Sequence, residues 1–139
     1  MDKNKSLIIS AIKDSVFQTG WNAFIYSQSI VPVKTGDLKR SGDFSRELDG
    51  IQIKYKIHYA EIVERGWNGG NIWINSYSRS DGTFVRGHMK YQPKREGVHY
   101  IENALKRYFL EKVSSRSFFQ DKVLQNLRAS FPNKKITDF

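Results

Sequence analysis

Phe44-Ser45-Arg46-Glu47-Leu48-Asp49-Gly50-Ile51-Gln52-Ile53-Lys54-Tyr55-Lys56-Ile57-His58-Tyr59-Ala60-Glu61-Ile62-Val63-Glu64-Arg65-Gly66 is the stretch that decides the fold. Asp49-Gly50 is a strong hairpin signal, because the tight turn that matches strand twist needs residues tolerant of positive φ. Beyond it Ile51, Ile53, Tyr55, Ile57 and Tyr59 alternate with Gln52, Lys54, Lys56 and His58. That period of two predicts a strand with one buried and one wet face, paired with a short strand over 44–48. The period then changes. Ala60 to Arg65 reads as one or two helical turns, closed by Gly66 as a left-handed stop. A hairpin running directly into a helix points to an α+β chain.

Upstream, Ile8, Ile12, Val16, Phe17, Trp21, Phe24 and Ile25 recur at three- and four-residue steps, predicting one amphipathic helix over 3–30 that crosses the face of a sheet. Gly20 inside it marks a kink or a close contact. Pro32 ends it and pushes Val31 toward extended geometry. Thr35 reads as the N-cap of a short helix over 36–40, with Asp37 favourable in the first turn and Gly42 as the stop. Downstream, residues 67–70 read as loop. Residues 71–78 and 83–89 flank Ser80-Asp81-Gly82 and suggest a second hairpin that projects as an arm. Residues 97–113 read as a second amphipathic helix carrying Ile101, Ala104, Leu105, Tyr108 and Phe109 on one face. Ser114-Ser115-Arg116 interrupts it. Ser117 with Gln120 forms a capping-box pattern that opens a last helix, ended by Pro132. The final seven residues read as a loose tail. The expected architecture is a small antiparallel β-sheet packed against a long N-terminal helix and a C-terminal helix, with a projecting β-hairpin arm at about 67–92. Residues 1–113 make the main domain and 114–139 a C-terminal helical extension.

The bulk numbers fit this reading. A chain of 139 residues suits one core, and 39% hydrophobic with 14% aromatic residues gives it material to bury. No apolar run approaches the roughly 18 to 20 residues that span a bilayer, and no secretory signal is read at the N-terminus, so no membrane partner is expected. The absence of cysteine excludes disulfides and thiolate metal sites, and favours a cytoplasmic birthplace. The net charge of +9 and pI near 9.8 favour acidic or polyanionic partners. The charges are dispersed, however; Lys94-Arg95 and Lys134-Lys135 are the densest basic spots.

Few residues fall into catalytic patterns. His58, Glu61 and Glu64 stand three apart and would share a helix face, a spacing that suits a hard metal or acid–base work. An acidic edge paired to Arg65 or Lys56 is the simpler reading. His88 and His99 flank the basic Lys90, Lys94 and Arg95, as a phosphoryl-cleaving site would need, but lack a matched partner. Gly66-Trp67-Asn68-Gly69-Gly70 has the glycines of a phosphate loop without its Lys-Ser or Lys-Thr. Tyr55, Tyr59, Trp67, Trp73, Tyr77, Phe84 and Tyr91, interleaved with Lys and Arg, suit stacking on single strands, but also a core or a protein interface. No catalytic residue, metal ligand or cofactor is assigned.

Two short segments carry a resemblance. Pro32-Val33-Lys34-Thr35-Gly36-Asp37-Leu38-Lys39-Arg40-Ser41 resembles the Pro-x-(acid or Lys)-Thr-Gly-x-Leu-(basic)-(basic)-Ser signature of the tail-completion family of tailed bacteriophages, also called tail-to-head joining proteins or minor tail components. Tyr59-Ala60-Glu61-Ile62-Val63-Glu64-Arg65-Gly66 is similar to its second signature, Tyr-Ala-x-(apolar)-(apolar)-Glu-x-Gly. The order of helix, first motif, hairpin, second motif, arm and C-terminal helix also matches, over roughly residues 5 to 110. Gly66 is followed here by Trp67, where the family commonly has Gly-Thr, and the 117–131 helix exceeds the usual core.

The resemblance implies a non-enzymatic structural virion protein. It implies a homo-oligomeric ring, often a hexamer, that completes or terminates the tail and joins it to the head connector. Tail-tube and head-connector proteins would be its partners, and DNA would pass nearby without specific binding. The protein would be made in the host bacterial cytoplasm and reside at the head–tail junction of the virion. Pro32, Thr35, Gly36, Leu38, Tyr59, Ala60, Glu64 and Gly66 would then be structural motif residues, and Trp67, Trp73, Tyr77, Arg79, Phe84 and Arg86 candidates for the assembly interface. The rival expectations are a basic nucleic-acid-binding module and, third, a small His-dependent nuclease toxin.

Overall fold

A computed structural model of the chain describes residues 2–133. Lys134-Lys135 and all but the first of the seven residues read as a loose tail lie outside the described residues. The fold is α+β: a long N-terminal helix, a C-terminal helix and small antiparallel ribbons that include a hairpin.

Helix α1 spans Lys3–Ile30. Asp2 caps it by accepting the backbone N–H of Asn4, and Val31 leaves it in extended geometry as Pro32 requires. The face it buries differs from the expectation. Ala11, Ser15, Thr19, Ala23 and Ser27, each four residues from the next, form a fully buried ridge of small residues. The large residues Ile12, Trp21 and Ile25 remain 41%, 47% and 49% exposed. The small ridge wins because other helices pack along it, and narrow side chains let their backbones approach. Two of its hydroxyls are satisfied locally, Ser15 donating to the Ala11 carbonyl and Ser27 to that of Phe24, while the buried Thr19 hydroxyl has no hydrogen-bond partner among the described residues. Gly20 is a close contact and not a kink, since a Cβ there would stand 2.5 Å from Cδ1 of Ile51.

Helix α2 is the single turn Asp37–Arg40. Gly36, in the left-handed region at φ 85°, occupies the N-cap position expected for Thr35. The Thr35 hydroxyl still accepts from the Asp37 N–H at 3.4 Å while donating to the Asp37 carboxylate at 2.9 Å. Strands β1 (Gly42–Glu47) and β2 (Gly50–Tyr55) pair antiparallel, Gly42 opposite Tyr55 and Glu47 opposite Gly50. Gly42 therefore opens a strand directly after the helix. Pairing stops at Tyr55, four residues short of the expectation, because Lys56 donates to Ser41 and the chain turns at Ile57 to enter α3. The alternation of half-buried and exposed side chains nonetheless continues to Tyr59.

Helix α3 is Ala60–Arg65, and β3 (Gly66–Trp67) follows it. The ribbon beyond is made of β4 (Gly70–Ile74), β5 (Tyr77–Ser78), β6 (Phe84–Val85) and β7 (His88–Gln92). Strand β4 pairs with β7, and β5 with β6. Strand β8 (Arg95–Glu96) returns to pair with β3, so Gly66, expected as a helix stop, and Trp67, expected as loop, form the root of the arm. The expected single sheet is thus five two-stranded antiparallel pairs.

The expected helix over 97–113 is shorter and composite. Helix α4 covers Tyr100–Leu105, and a π-helical turn Lys106–Leu110 continues it. Residues 97–99 stay outside the helix because His99 lies in the left-handed region at φ 55°, while Val98 and His99 donate their N–H groups to the carbonyls of Val63 and Glu64 at the end of α3. Strands β9 (Lys112–Val113) and β10 (Arg116–Ser117) then pair across Ser114 and Ser115, both at positive φ. Helix α5 spans Phe118–Ser130 and opens with the expected capping box.

Two cores lie along α1. Near its C-terminal end, Val31, Leu38, Ala60 and Tyr100 are packed by Tyr55, Ile57, Tyr59 and Val63. Near its N-terminal end, Ala11, Leu127 and Phe131 are packed by Leu7, Ile8 and Val123. Asn126 of α5 also donates to Ser15 Oγ at 2.9 Å, fixing the rotation of α5 on the small ridge. Between α1 and the β1–β2 hairpin, Phe17, Trp21 and Phe24 surround Phe44 with ring centroids 5.4–5.8 Å apart. Ser117→Ala removes one half of a capping box on a buried residue. It should cost about 1 kcal/mol in urea unfolding, and a loss below the error of that measurement would contradict the capping account.

Candidate functional site

The second motif is built around one carboxylate. Glu64 points from α3 onto the N-terminus of α4, where Oε2 accepts the N–H of Ile101 at 3.0 Å and Oε1 that of Glu102 at 2.9 Å. The first N–H groups of a helix have no partner within it, and their partial positive charge favours an anion. Glu64 supplies both. Its own backbone carbonyl accepts from His99, so one residue holds the α4 entrance through main chain and side chain.

The other motif residues complete this clamp. Ala60 is buried, and its carbonyl accepts from the hydroxyl of Tyr100 at 3.1 Å. Tyr100 has no exposed surface and stands edge-on to Tyr55 at 4.8 Å. Burial, with the nearby Glu64 charge, pushes the Tyr100 phenol up to about 12 from 10.0. Gly66 sits at φ 89°, and a Cβ there would meet the Arg95 carbonyl at 2.6 Å. Only glycine allows α3 to end against β8 at that distance.

The first motif meets the second across a groove of about 580 Å³. Pro32, Thr35, Gly36 and Leu38 line one side and Tyr59, Ile62 and Val63 the other. Lys34, Arg95 and Glu96 also line it, with Val98. Beside it Asp37 is ion-paired to Arg40, and the Thr35 hydroxyl and Arg40 together hold its carboxyl below the usual carboxylate range. Of the motif residues, Ala60, Glu64 and Gly66 do not line this groove; they hold its far wall in place.

The expected interface residues divide. Trp67 belongs to the arm's root, paired with Arg95 across β3 and β8. Trp73, Tyr77, Arg79, Phe84 and Arg86 lie on the ribbon or its turn, and all are exposed. Trp73 is opposite Met89 and Asn71 opposite Tyr91, so these four side chains share one face. Trp73 is 60% exposed and Phe84 64%, and neither core includes an arm residue. At the turn, the Thr83 N–H binds Asp81 and lowers its carboxyl.

The candidates for chemistry do not converge as their spacing suggested. His58 stacks edge-on against Tyr59, Glu61 pairs with Arg65, and Glu64 turns away to α4. His88 Nδ1 meets the Arg86 carbonyl, while His99 Nδ1 meets Glu102. Tertiary folding instead brings together Glu64, His99 and Glu102, the one group among the described residues with donor spacing for a metal ion. Its carboxylates are already engaged. Glu64 caps α4, and Glu102 is paired to Lys106 at 2.8 Å and to His99 at 3.1 Å, which lowers its carboxyl, Lys106 being the main cause. We read the group as a capping and ion-pair network. Sequence spacing missed it because Glu64 and His99 are far apart in the chain and meet only where the end of α3 packs on the entrance of α4.

No protein-family model, curated protein or solved structure matches the chain.

Replacing Glu64 by Ala leaves two helix-terminal N–H groups unpaired and should cost roughly 2 kcal/mol, read by urea unfolding. Glu64→Gln, which keeps one carbonyl acceptor, should lose less. Equal stability of the Ala variant and the parent would contradict the clamp. For Tyr100 the sign follows from its raised folded value: the proton is held more tightly in the folded state. Its contribution is complete below pH 10 and disappears as pH rises from 10 to about 12. Tyr100→Phe should lose about 1 kcal/mol at neutral pH through the lost bond to the Ala60 carbonyl, yet unfold at a higher alkaline midpoint than the parent relative to that baseline.

Proposed function

We propose that this chain is a non-enzymatic virion assembly protein that closes a homo-oligomeric ring at the head–tail junction of a tailed bacteriophage. On this reading it completes or terminates the tail and joins it to the head connector. The observation that carries the reading is the bare arm. A two-stranded ribbon is marginally stable at best without something packed on it, yet this one presents Trp73, Tyr77, Phe84, Met89 and Tyr91 to solvent. Aromatic residues and Arg are those that dominate binding at protein interfaces, and Arg79 and Arg86 of the arm are exposed as well.

The ordered motif pair supports the same reading. Its residues hold the frame and line a groove between α1's end and α3, leaving the arm free to vary in what it contacts. A ring needs a contact between two different surfaces of one chain that closes by rotation, and arm and body supply two such surfaces. Partners on this reading are further copies of the chain, tail-tube protein and connector protein. DNA would pass through without specific binding, with Lys and Arg facing outward or toward acidic partners.

One observation favours a second reading, a module that binds single-stranded nucleic acid. The exposed aromatics alternate with Arg79, Arg86 and Lys90, as a stacking surface would require. That reading predicts binding that falls steeply with salt, whereas the assembly reading predicts weak binding that vanishes near physiological salt. A fluorescence-anisotropy titration with a labelled oligonucleotide separates them.

Electron microscopy of the purified protein mixed with tail tubes tests the assembly reading. Rings or capped tube ends are expected with the parent chain. The double variant Trp73→Ser/Phe84→Ser should fold with an unchanged thermal midpoint and fail to cap. Absence of rings and of tube-end binding at every concentration of the parent chain would sink the proposal.

A further inference from the structure

The groove at the arm's root and the arm's tip are both apolar and both uncovered within one chain. We propose that the arm tip of one copy seats in the motif groove of the next copy, so that assembly repeats a single tip-in-groove contact. The inference rests on the assembly reading and names its contact.

Three observations carry it. The first is shape and chemistry. The groove of about 580 Å³ has an apolar floor that includes Leu38, Tyr59 and Ile62, and its size is that of pockets able to bury a compact apolar group. The tip offers Phe84, 64% exposed on β6, while Tyr77, opposite Val85, lies on the other face of the ribbon.

The second is charge. Lys34 and Arg95 border the groove and would meet Asp81 at the turn, whose carboxyl the Thr83 N–H holds in its charged form. Glu96 borders the groove too and would meet Arg79 on the other side of the turn. Opposite charges on both surfaces fix one orientation of the tip, as register-setting rim charges do at interfaces.

The third is topology. The groove lies at β8, where the arm begins, and no tip residue lines it. Strands β4 and β7, five residues each, separate the two surfaces by about 17 Å of paired ribbon. A chain whose donor and acceptor surfaces are held apart cannot satisfy itself. It joins head to tail, the heterologous kind of contact from which a ring is built when its rotation closes.

The chain contains no cysteine, so cross-linking between introduced thiols reads the contact directly. Full-length Phe84→Cys and Ile62→Cys chains, mixed at millimolar concentration and oxidised with copper-phenanthroline, should form a mixed disulfide dimer. Phe84→Cys mixed with Leu48→Cys, a highly exposed residue at the other hairpin turn, should give little. Ile62→Asp, on an exposed groove residue, should weaken self-association about tenfold with an unchanged thermal midpoint, read by analytical ultracentrifugation. No cross-link to Ile62, or equal capture at Leu48, overturns the contact. Rings formed without the Phe84–Ile62 cross-link overturn the contact and leave the assembly reading standing. Cross-linked chains that never close on tube ends uphold the contact and overturn the assembly reading.

Discussion

The carboxylate of Glu64 on the N-terminus of α4 is the interaction on which the rest of the structure depends. It joins α3 to a helix that enters nearly forty residues later in the chain. The arm leaves from the end of α3 and returns just before α4, so this clamp also closes the base of the arm. Val98 and His99 are tied to α3 beside it, and β3 and β8 pair at the same place. Tyr100, seated on the Ala60 carbonyl, anchors the clamp to the core that α1 and Leu38 complete. Loss of the clamp would free the arm's root, the groove wall and the α4 entrance together.

Burial is divided in a way that separates frame from reach. Small residues on α1 draw the other helices close, and the two cores lie along that helix. Large apolar side chains stay exposed elsewhere, among them those of the ribbon and Trp21 and Ile25 on α1. On the proposed reading, the exposed side chains of the arm complete their packing against other chains.

Much of this was legible in the sequence where local physics decides. Pro32 ends α1, Ala60–Arg65 is a helix stopped by Gly66, and Ser117 with Gln120 caps α5. The period of two from Ile51 gave the right wet and buried faces, even past the end of strand pairing. Errors came where distant chain decides. The side of α1 that is buried depends on helices that arrive a hundred residues later, and no periodicity of large side chains could reveal a ridge of small ones. The helix expected from 97 starts at 100 because His99, tied to α3, is held in the left-handed region. In sequence Glu64 reads as part of a motif and, with His58 and Glu61, as an acidic edge. Its role as a cap for another helix is written in no local pattern. The groove was invisible for the same reason: its two sides lie on separate segments.

The clamp has one direct signature. Amides in the first turn of a helix ordinarily exchange with solvent freely, having no partner within the helix. Native-state hydrogen exchange, resolved by residue with nuclear magnetic resonance, reads the Ile101 and Glu102 amides individually. The account predicts that both are protected to the level of amides inside α4, as groups bonded to a fixed carboxylate must be. Exchange at the rate of an open helix end, with the α4 interior protected, would contradict the account.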